Sequence, residues 1–302
     1  MDLKSKIILI YGPTASGKSK FGVKLAKKIN GEIINTDSMQ VYKELKILSA
    51  RPSKNEYKKV KHHLFGFHSV KKKFSTGDWL KLAKKKIEDI KKRKKVPILV
   101  GGTGLYFKSL TDGLVSIPNI PIKFRQKVRS LHKKIGSKKF FSKLIKLDPL
   151  VKNRIKSSDA QRTIRAYEVK SFTKKSIYLW FEKTKSNYQQ KDFYKIYIDF
   201  PKDKLVERIY FRAQEMLKKG AILEVKKFNS LKVRNDKTAY KAIGIREVND
   251  YIQKKIKIAQ VIEKISIKTR QYAKRQRTWA NGNMQNWNKI NPIQLTDFLK
   301  KI

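Results

Sequence analysis

A glycine-rich segment of eight residues near the start of the chain limits the possible folds more than any other feature. It reads GPTASGKS and matches the pattern G-x-x-x-x-G-K-[ST]. An apolar, β-branched run at residues 6–11 precedes it, and apolar residues with helical spacing follow at 19–29. Glycines let the backbone N–H groups of such a loop turn towards one anion at the start of a helix. The segment therefore predicts a strand–loop–helix unit that binds phosphate, rather than a plain glycine turn.

Every residue of this loop is a candidate ligand for a diphosphate. Lys18 adds a positive charge beside the phosphate oxygens, and the Ser19 hydroxyl is a candidate ligand for Mg²⁺. The loop alone does not identify which diphosphate binds. The predicted diphosphate-binding residues are Gly12, Pro13, Thr14, Ala15, Ser16, Gly17, Lys18 and Ser19.

Strand and helix patterns alternate along the rest of the chain. Apolar runs at 32–36, 96–100 and 194–200 predict further strands, and amphipathic stretches at 79–92 and 202–279 predict helices. Such alternation is typical of an α/β fold. We predict a P-loop NTPase-like core with a parallel sheet and helices on both faces.

The region between residues 117 and 197 has a different character. It opens with Pro118 and Pro121 and continues with basic, helical patterns. It lacks the regularly spaced strand runs that are predicted before and after it. We predict an inserted, mainly helical lobe at 117–197, and a core formed by residues 1–116 and 198–302 with C-terminal helices.

The charge of the chain points to a polyanionic partner. There are 74 Lys and Arg residues against 24 Asp and Glu, which gives a formal net charge of +50. Such a field attracts nucleic acids, although an abundance of Lys, Ile and Asn also fits compositional drift.

Cysteine is absent, which excludes disulfides, thiolate catalysis and cysteine-bound zinc. No apolar run is long enough to span a membrane, so we expect a cytoplasmic protein without a membrane partner. We also expect a monomer.

A carboxylate and a hydroxyl are predicted beside the loop. Asp37 follows the second strand, and Thr103 lies in the glycine turn after the third. The carboxyl ends of parallel strands meet at one crevice, so both residues are expected near the bound phosphate. Asp37 is a candidate general base or a holder of a metal-bound water, with a helix N-cap as the alternative. Thr103 is a candidate to orient an acceptor amine, with an ordinary turn residue as the alternative.

Six motifs in order resemble one family over nearly the whole chain. They are GPTASGKS, DSMQVYK, GGTGLYFKSL, DAQRTIRAYEV, KAIGIREV and TRQYAKRQRTW. Together they resemble the tRNA dimethylallyltransferases, also called tRNA isopentenyltransferases or the IPP transferase family. The resemblance is to the bacterial type, without the zinc-finger extension of eukaryotic members. It implies transfer of a dimethylallyl group to N6 of the adenosine 3′ of the anticodon in tRNA, which forms N6-isopentenyladenosine and releases diphosphate.

The resemblance also implies roles for individual residues. The loop would bind dimethylallyl pyrophosphate with Mg²⁺ as cofactor. Asp37 would take the proton from the adenine amine, Thr103 would contact that amine, and Lys18 and Arg212 would support the departing diphosphate. The implied tRNA contacts, in the anticodon stem-loop, are Asp37, Ser38, Met39, Gln40, Thr103, Arg125, Gln161, Arg162, Thr163, Ile164 and Arg165.

Other parts of the chain have less specific signals. Gln161 and Arg162 are candidates to fill the space that the target base leaves when it is extruded, although a solvated basic face is the alternative. The basic helix predicted at 256–279 is a candidate wall for the tRNA backbone. Its Tyr272 and Trp279 favour packing over base stacking. The adjacent pair His62-His63 does not predict a zinc site.

Three alternative functions use the same loop. The nearest is prenylation of free AMP, ADP or ATP, which would need neither the +50 charge nor the basic lobe. The second is a small-molecule kinase that binds ATP at 12–19. The third is a non-catalytic RNA-binding protein in which the loop is vestigial.

Overall fold

Six strands form one parallel sheet in the computed structural model, which describes residues 3–234 and 237–302. Every neighbouring pair runs in the same direction, so the predicted parallel α/β sheet is confirmed. In chain order the strands are β1 (Ile7–Tyr11), β2 (Gly31–Asn35), β3 (His62–His63), β4 (Val96–Gly101), β5 (Phe193–Ile198) and β6 (Asn288–Ile290). Their spatial order is β3-β2-β4-β1-β5-β6, which places the loop after β1 between the ends of β4 and β5.

The two edge strands were not predicted. Strand β3 has two residues and β6 has three, which is too short for alternation of apolar residues to be recognised. Strand β3 pairs with β2 through Ile33–His62 and Ile34–His63. Only the neighbouring strand gives these short segments their extended form.

Strand β1 shows how the sheet is covered on both faces. Ile7, Leu9 and Tyr11 belong to one buried cluster, and Ile8 and Ile10 belong to another. Successive side chains of a strand point to opposite faces, so the uniformly apolar run is what a doubly covered central strand requires.

The helices occur between and after the strands. Within the described ranges, the α-helices in chain order are α1 (Lys18–Lys28), α2 (Lys54–Tyr57), α3 (Thr76–Lys92), α4 (Gly104–Thr111), α5 (Ile122–Leu147), α6 (Ala160–Thr173), α7 (Ile177–Glu182), α8 (Lys202–Lys218), α9 (Ala221–Ser230), α10 (Ile245–Ile252), α11 (Ile258–Asn283) and α12 (Gln294–Lys300). Helices α1 and α12 pack on one face of the sheet, and α3, α4 and the end of α11 pack on the other. None of the helices in the described ranges combines the length and apolarity needed to cross a bilayer.

The chain divides into two compact units. The core unit contains residues up to Thr111 together with Tyr188–Ile302, and the inserted unit is Asp112–Asn187. The inserted unit is helical and contains α5, α6 and α7 around its own buried cluster, which includes Leu144 and Val169. It ends before the predicted limit at 197, because β5 pairs with β1 from Phe193 onwards and so belongs to the sheet.

Candidate active site

The loop Gly12–Ser19 makes a tight turn into the N-terminus of α1. It leaves β1 and enters α1 through Gly17, whose φ of 85° lies in the left-handed region that favours glycine. The Ser16 side chain is buried, and its Oγ has no hydrogen-bond partner in the described protein. A buried hydroxyl in a loop at a helix N-terminus fits a site whose partner is a bound anion.

Two half-buried cations lie against the loop. Lys18 Nζ donates to Pro13 O at 3.2 Å, and Arg212 Nη1 of α8 donates to Thr14 Oγ1 at 3.0 Å. Burial lowers the pKa of Lys18 to about 8; Asp37 opposes this shift and Arg212 adds to it. Burial likewise lowers the pKa of Arg212, again opposed by Asp37. The lowered pKa values mean that these charges are poorly solvated, so a bound anion would gain strongly from them.

Asp37 lies in a tight turn at the end of β2. Its Oδ1 accepts hydrogen bonds from Met39 N at 2.9 Å and Gln40 N at 3.3 Å. Asn35 Oδ1 accepts from Asp37 N at 2.9 Å, which holds the turn from the other side. Both of these hydrogen bonds to the Asp37 side chain are accepted by Oδ1, which leaves Oδ2 as the candidate oxygen to take a proton. No helix begins after Asp37 in the described structure, so this carboxylate caps a turn and is not a helix N-cap.

Thr103 connects this turn to the glycine segment after β4. Thr103 Oγ1 accepts from Ser38 N at 3.0 Å, and Thr103 N donates to Thr36 O at 3.1 Å. The Tyr272 hydroxyl of α11 shares a hydrogen bond with the Thr103 side chain. Burial and the nearby Asp37 charge raise the pKa of Tyr272, so this phenol is protonated at neutral pH. The hydroxyl of Thr103 is thus held beside Asp37 by groups from two other elements.

Gln276 of α11 links the diphosphate loop to the turn that carries Thr103. Its Oε1 accepts from Thr14 N at 2.8 Å, and its Nε2 donates to Gly102 O at 2.8 Å. A Cβ on residue 102 would lie 2.2 Å from Gln276 Nε2, so only glycine allows this approach. The side chain is buried, which makes the two hydrogen bonds costly to lose.

A cavity of about 930 Å³ opens beside the loop. Ile47, Phe211 and Met216 provide apolar surface within it. Its acidic lining residues are Glu56, Glu207 and Glu215, and its basic lining residues are Lys18, Lys20, Lys46, Arg51, Arg208, Arg212 and Lys219. An excess of cations next to apolar walls suits a ligand with an anionic head and a hydrocarbon tail.

The other predicted residues of the core unit are placed as follows. Ser19 is exposed and lines the cavity, which leaves its hydroxyl accessible to an ion. Met39 is half-buried against an apolar cluster that includes residues of α9, α10 and α11. Gln40 Nε2 donates to Ser49 O at 3.1 Å and to Ala50 O at 3.2 Å, so this amide holds a neighbouring loop.

The remaining predicted residues lie in the inserted unit, on α5 and α6. Gln161 and Arg162 are exposed, and Arg162 pairs with Asp159 at 3.4 Å. Thr163 is buried and donates from Oγ1 to Asp159 O at 2.7 Å, so it packs within the unit, whereas Ile164 is half-buried. Arg125 and Arg165 both lie against Glu168.

The histidine pair has structural partners. His63 Nε2 lies 2.7 Å from Glu32 Oε2, and His62 stacks on Tyr57 with ring centroids 3.8 Å apart. Among the described residues, no three His, Cys, Asp or Glu side chains converge on a possible metal position. The hydroxyls of Ser19 and of the unpartnered Ser16 are candidate ligands for a Mg²⁺ that accompanies the diphosphate.

Sequence reasoning missed two residues of the crevice. Gln276 was not singled out, and Tyr272 was interpreted as a packing residue. Both lie within the TRQYAKRQRTW motif, and their spacing of four places them on one face of α11. That spacing was the available signal, but the elements they touch lie more than 160 residues away along the chain.

Comparison with known proteins identifies relatives along the whole chain. A family model described as IPP transferase matches residues 40–283. The chain is 59% identical over 302 residues to the tRNA dimethylallyltransferase of Pelagibacter ubique (strain HTCC1062), with 100% of this chain and 96% of the relative covered. It is 42% identical to that of Rickettsia massiliae (strain Mtu5), with 99% of this chain and 83% of the relative covered.

Solved structures agree with these relatives. A eukaryotic dimethylallyltransferase acting on tRNA matches with a TM-score of 0.81 and 28% identity, over 95% of this chain and 74% of the other. The tRNA isopentenylpyrophosphate transferase of Bacillus halodurans matches with a TM-score of 0.70 and 30% identity, over 98% and 95%. By sequence and by fold, the chain belongs to the IPP transferase family.

Proposed function

We propose that this protein is a tRNA dimethylallyltransferase, which transfers a dimethylallyl group from dimethylallyl pyrophosphate to N6 of the adenosine 3′ of the anticodon. One observation carries the proposal: Asp37 lies close enough to the half-buried Lys18 and Arg212 to influence the pKa of both. A base and a diphosphate-binding site in one crevice are what N-prenylation requires. The names and activities of the relatives support the same reaction.

The diphosphate end of the donor would lie in the loop 12–19. Backbone N–H groups, Lys18 and Arg212 would stabilise the charge that grows on the departing diphosphate as the bond between C1 and oxygen breaks. Preorganised charges of this kind usually contribute the largest part of a rate enhancement. Mg²⁺, when bound near Ser19, would supply further neutralisation of the diphosphate.

The acceptor end would be organised by Asp37 and Thr103. The adenine amine is a weak nucleophile because its lone pair is delocalised into the ring. As N6 bonds to C1 of the donor, Asp37 Oδ2 would accept the N6 proton, which leaves a neutral secondary amine and free diphosphate. Thr103 Oγ1, held by Ser38 and Tyr272, would orient the amine. The apolar part of the cavity, formed by Ile47, Phe211 and Met216, would hold the hydrocarbon tail and shield it from water.

We assign the tRNA contacts to both units. In the core unit they are Asp37 to Gln40 and Thr103; in the inserted unit they are Arg125, Gln161, Arg162 and Arg165, with Thr163 and Ile164 supporting the α6 segment.

The proposal includes action in the cytoplasm and a monomeric state. Size-exclusion chromatography with light scattering tests the monomeric state.

The decisive experiment offers the purified protein labelled dimethylallyl pyrophosphate, Mg²⁺ and one of two acceptors, an unmodified tRNA transcript or AMP. We expect label in tRNA and none in AMP. Label in AMP alone would establish an adenylate prenyltransferase. Absence of label from both acceptors would contradict prenyl transfer, and ATP turnover with a metabolite would then indicate a kinase.

A further inference from the structure

A buried carboxylate in the inserted unit lies among three arginines. The Glu168 side chain is only 1% exposed. Its Oε2 is 3.3 Å from Arg125 Nε and 3.4 Å from Arg165 Nη1, and its Oε1 is 3.8 Å from Arg129 Nε. The arginine side chains are themselves 40%, 37% and 59% exposed, in the same order. We call these four residues the arginine cluster.

The cluster keeps a surplus of positive charge. One carboxylate faces three guanidinium groups, and a guanidinium has five N–H donors in a planar fork. Arg125 and Arg129 approach Glu168 through Nε rather than through their terminal nitrogens. Two paired terminal nitrogens are the part of arginine that binds a phosphate through two parallel hydrogen bonds. Glu168 therefore accepts a hydrogen bond from Arg125 Nε and lies beside Arg129 Nε without using the terminal edge of either fork, whereas Arg165 reaches it through Nη1.

Helix geometry brings the arginines together. Arg125 and Arg129 are four residues apart on α5 and share a face, whereas Arg165 and Glu168 are three apart on α6. Residues 112–187 contain twenty Lys and Arg against five Asp and Glu, and one of those five is the buried Glu168. A buried, paired carboxylate orders its partners, because leaving it uncompensated is strongly unfavourable.

We propose that Glu168 is a positioning residue that holds Arg125, Arg129 and Arg165 as a preformed clamp for RNA backbone phosphates, with Arg129 as a further phosphate ligand. The inference rests on the proposed function for the identity of the RNA. It adds to that function a device that orients the charge, because arginines ordered before binding lose less conformational freedom when a phosphate arrives.

The direction in which one substitution changes RNA affinity distinguishes a positioning role from an effect of bulk charge. Glu168→Gln keeps the size of the side chain and makes the protein more positive. Bulk electrostatics alone would tighten RNA binding and steepen its salt dependence. A positioning role predicts the opposite: affinity for an unmodified anticodon stem-loop RNA falls about fivefold to tenfold, and the salt slope decreases by about one. The KM for dimethylallyl pyrophosphate stays unchanged.

A matched control removes the same charge elsewhere in the inserted unit. Glu182 is an exposed carboxylate at the end of α7, and Glu182→Gln is expected to leave RNA affinity equal or slightly tighter. If Glu168→Gln binds RNA as tightly as Glu182→Gln, with both proteins folded by circular dichroism, the positioning role is wrong.

Arg129 is tested against a neighbour on the same helix. Arg129→Ala should weaken RNA binding about tenfold, as expected for loss of a charge-assisted contact. Lys127→Ala removes the same charge from an exposed position two residues away, which faces a different side of α5, and should cost no more than about twofold. Equal losses of RNA affinity in the two variants would show that Arg129 contributes only to the overall positive charge and is not a specific phosphate ligand.

A charge-preserving variant covers the case in which Glu168→Gln lowers stability. Replacing Arg125, Arg129 and Arg165 together by lysine keeps Glu168 and every charge but removes the forks. We expect about tenfold weaker RNA binding at an unchanged melting temperature; unchanged affinity would overturn the clamp. In all these assays the wild-type protein reports the proposed function separately, because it must prenylate tRNA whichever way the variants behave.

Discussion

The two groups of cations differ in how they are held. In the core unit, Lys18 and Arg212 are half-buried and donate to neutral oxygens of the loop, and desolvation lowers the pKa of both. In the inserted unit, the three arginines are partly exposed and packed on a buried carboxylate. A poorly solvated cation favours a small anion and the charge that grows on a leaving group. An exposed and oriented cation favours a polyanion that approaches from solution.

The largest expected effect tests the core site. Asp37→Asn keeps an oxygen that can accept from Met39 N and Gln40 N but removes the base. Turnover should fall by about 10²–10⁴-fold, because general base catalysis is lost, while tRNA affinity measured by filter binding is retained. Asp37→Ala should show the same loss and also a less ordered turn. Turnover near the wild-type value in Asp37→Asn would remove the proton-accepting role.

A pH profile tests the desolvated lysine. Because the pKa of Lys18 is about 8, the free enzyme loses this charge as pH rises through that value. We expect kcat/KM for dimethylallyl pyrophosphate to decline about tenfold per pH unit above about pH 8, since kcat/KM reports the free enzyme. Once the diphosphate is bound, its charge favours the ammonium form, so kcat should hold to higher pH.

Lys18→Arg provides the control for this profile. Arginine stays charged across the range, so the decline near pH 8 should disappear, even if the overall rate is lower. The same decline in Lys18→Arg would assign the ionisation to another group.

A buried amide tests whether the two halves of the core site depend on each other. Gln276→Met removes both hydrogen bonds that join the diphosphate loop to the Thr103 turn at similar side-chain size. We expect transition-state stabilisation to fall by about 1–2 kcal/mol, which corresponds to about a tenfold fall in kcat/KM for the donor. Affinity for tRNA should change less than twofold. Unchanged donor kinetics would show that each half is organised independently.

The smallest expected effect belongs to an exposed arginine outside the arginine cluster. The Arg162 side chain is 73% exposed, and its ion pair with Asp159 lies at the surface. Arg162→Ala should weaken tRNA binding about threefold to fivefold and reduce the salt slope by about one, with the KM for the donor unchanged. A larger loss than that of Arg129→Ala would mean that burial of Glu168 does not strengthen the neighbouring arginines. A selective donor defect would place Arg162 at the other substrate.

The sequence was sufficient for local features of this protein. The strand–loop–helix signal around 12–19 predicted β1, the loop and α1, because glycine and apolar spacing act on neighbouring residues. The same reasoning located β2, β4 and β5 to within two residues. The family motifs predicted the membership that the relatives confirm. Roles for Asp37, Thr103 and the RNA-contacting residues stay predictions.

Only the tertiary structure decided which distant groups meet. Strands β3 and β6 are extended because a neighbouring strand pairs with them. A segment of two or three residues is too short for its sequence to predict that pairing. Gln276 reaches the loop across 262 positions of chain, and Glu168 reaches Arg125 across 43. Side-chain pairing of this kind depends on how helices pack, whereas a local pattern records only which residues of one helix share a face. For that reason the sequence indicates where charge lies, but the fold determines whether it is desolvated or oriented.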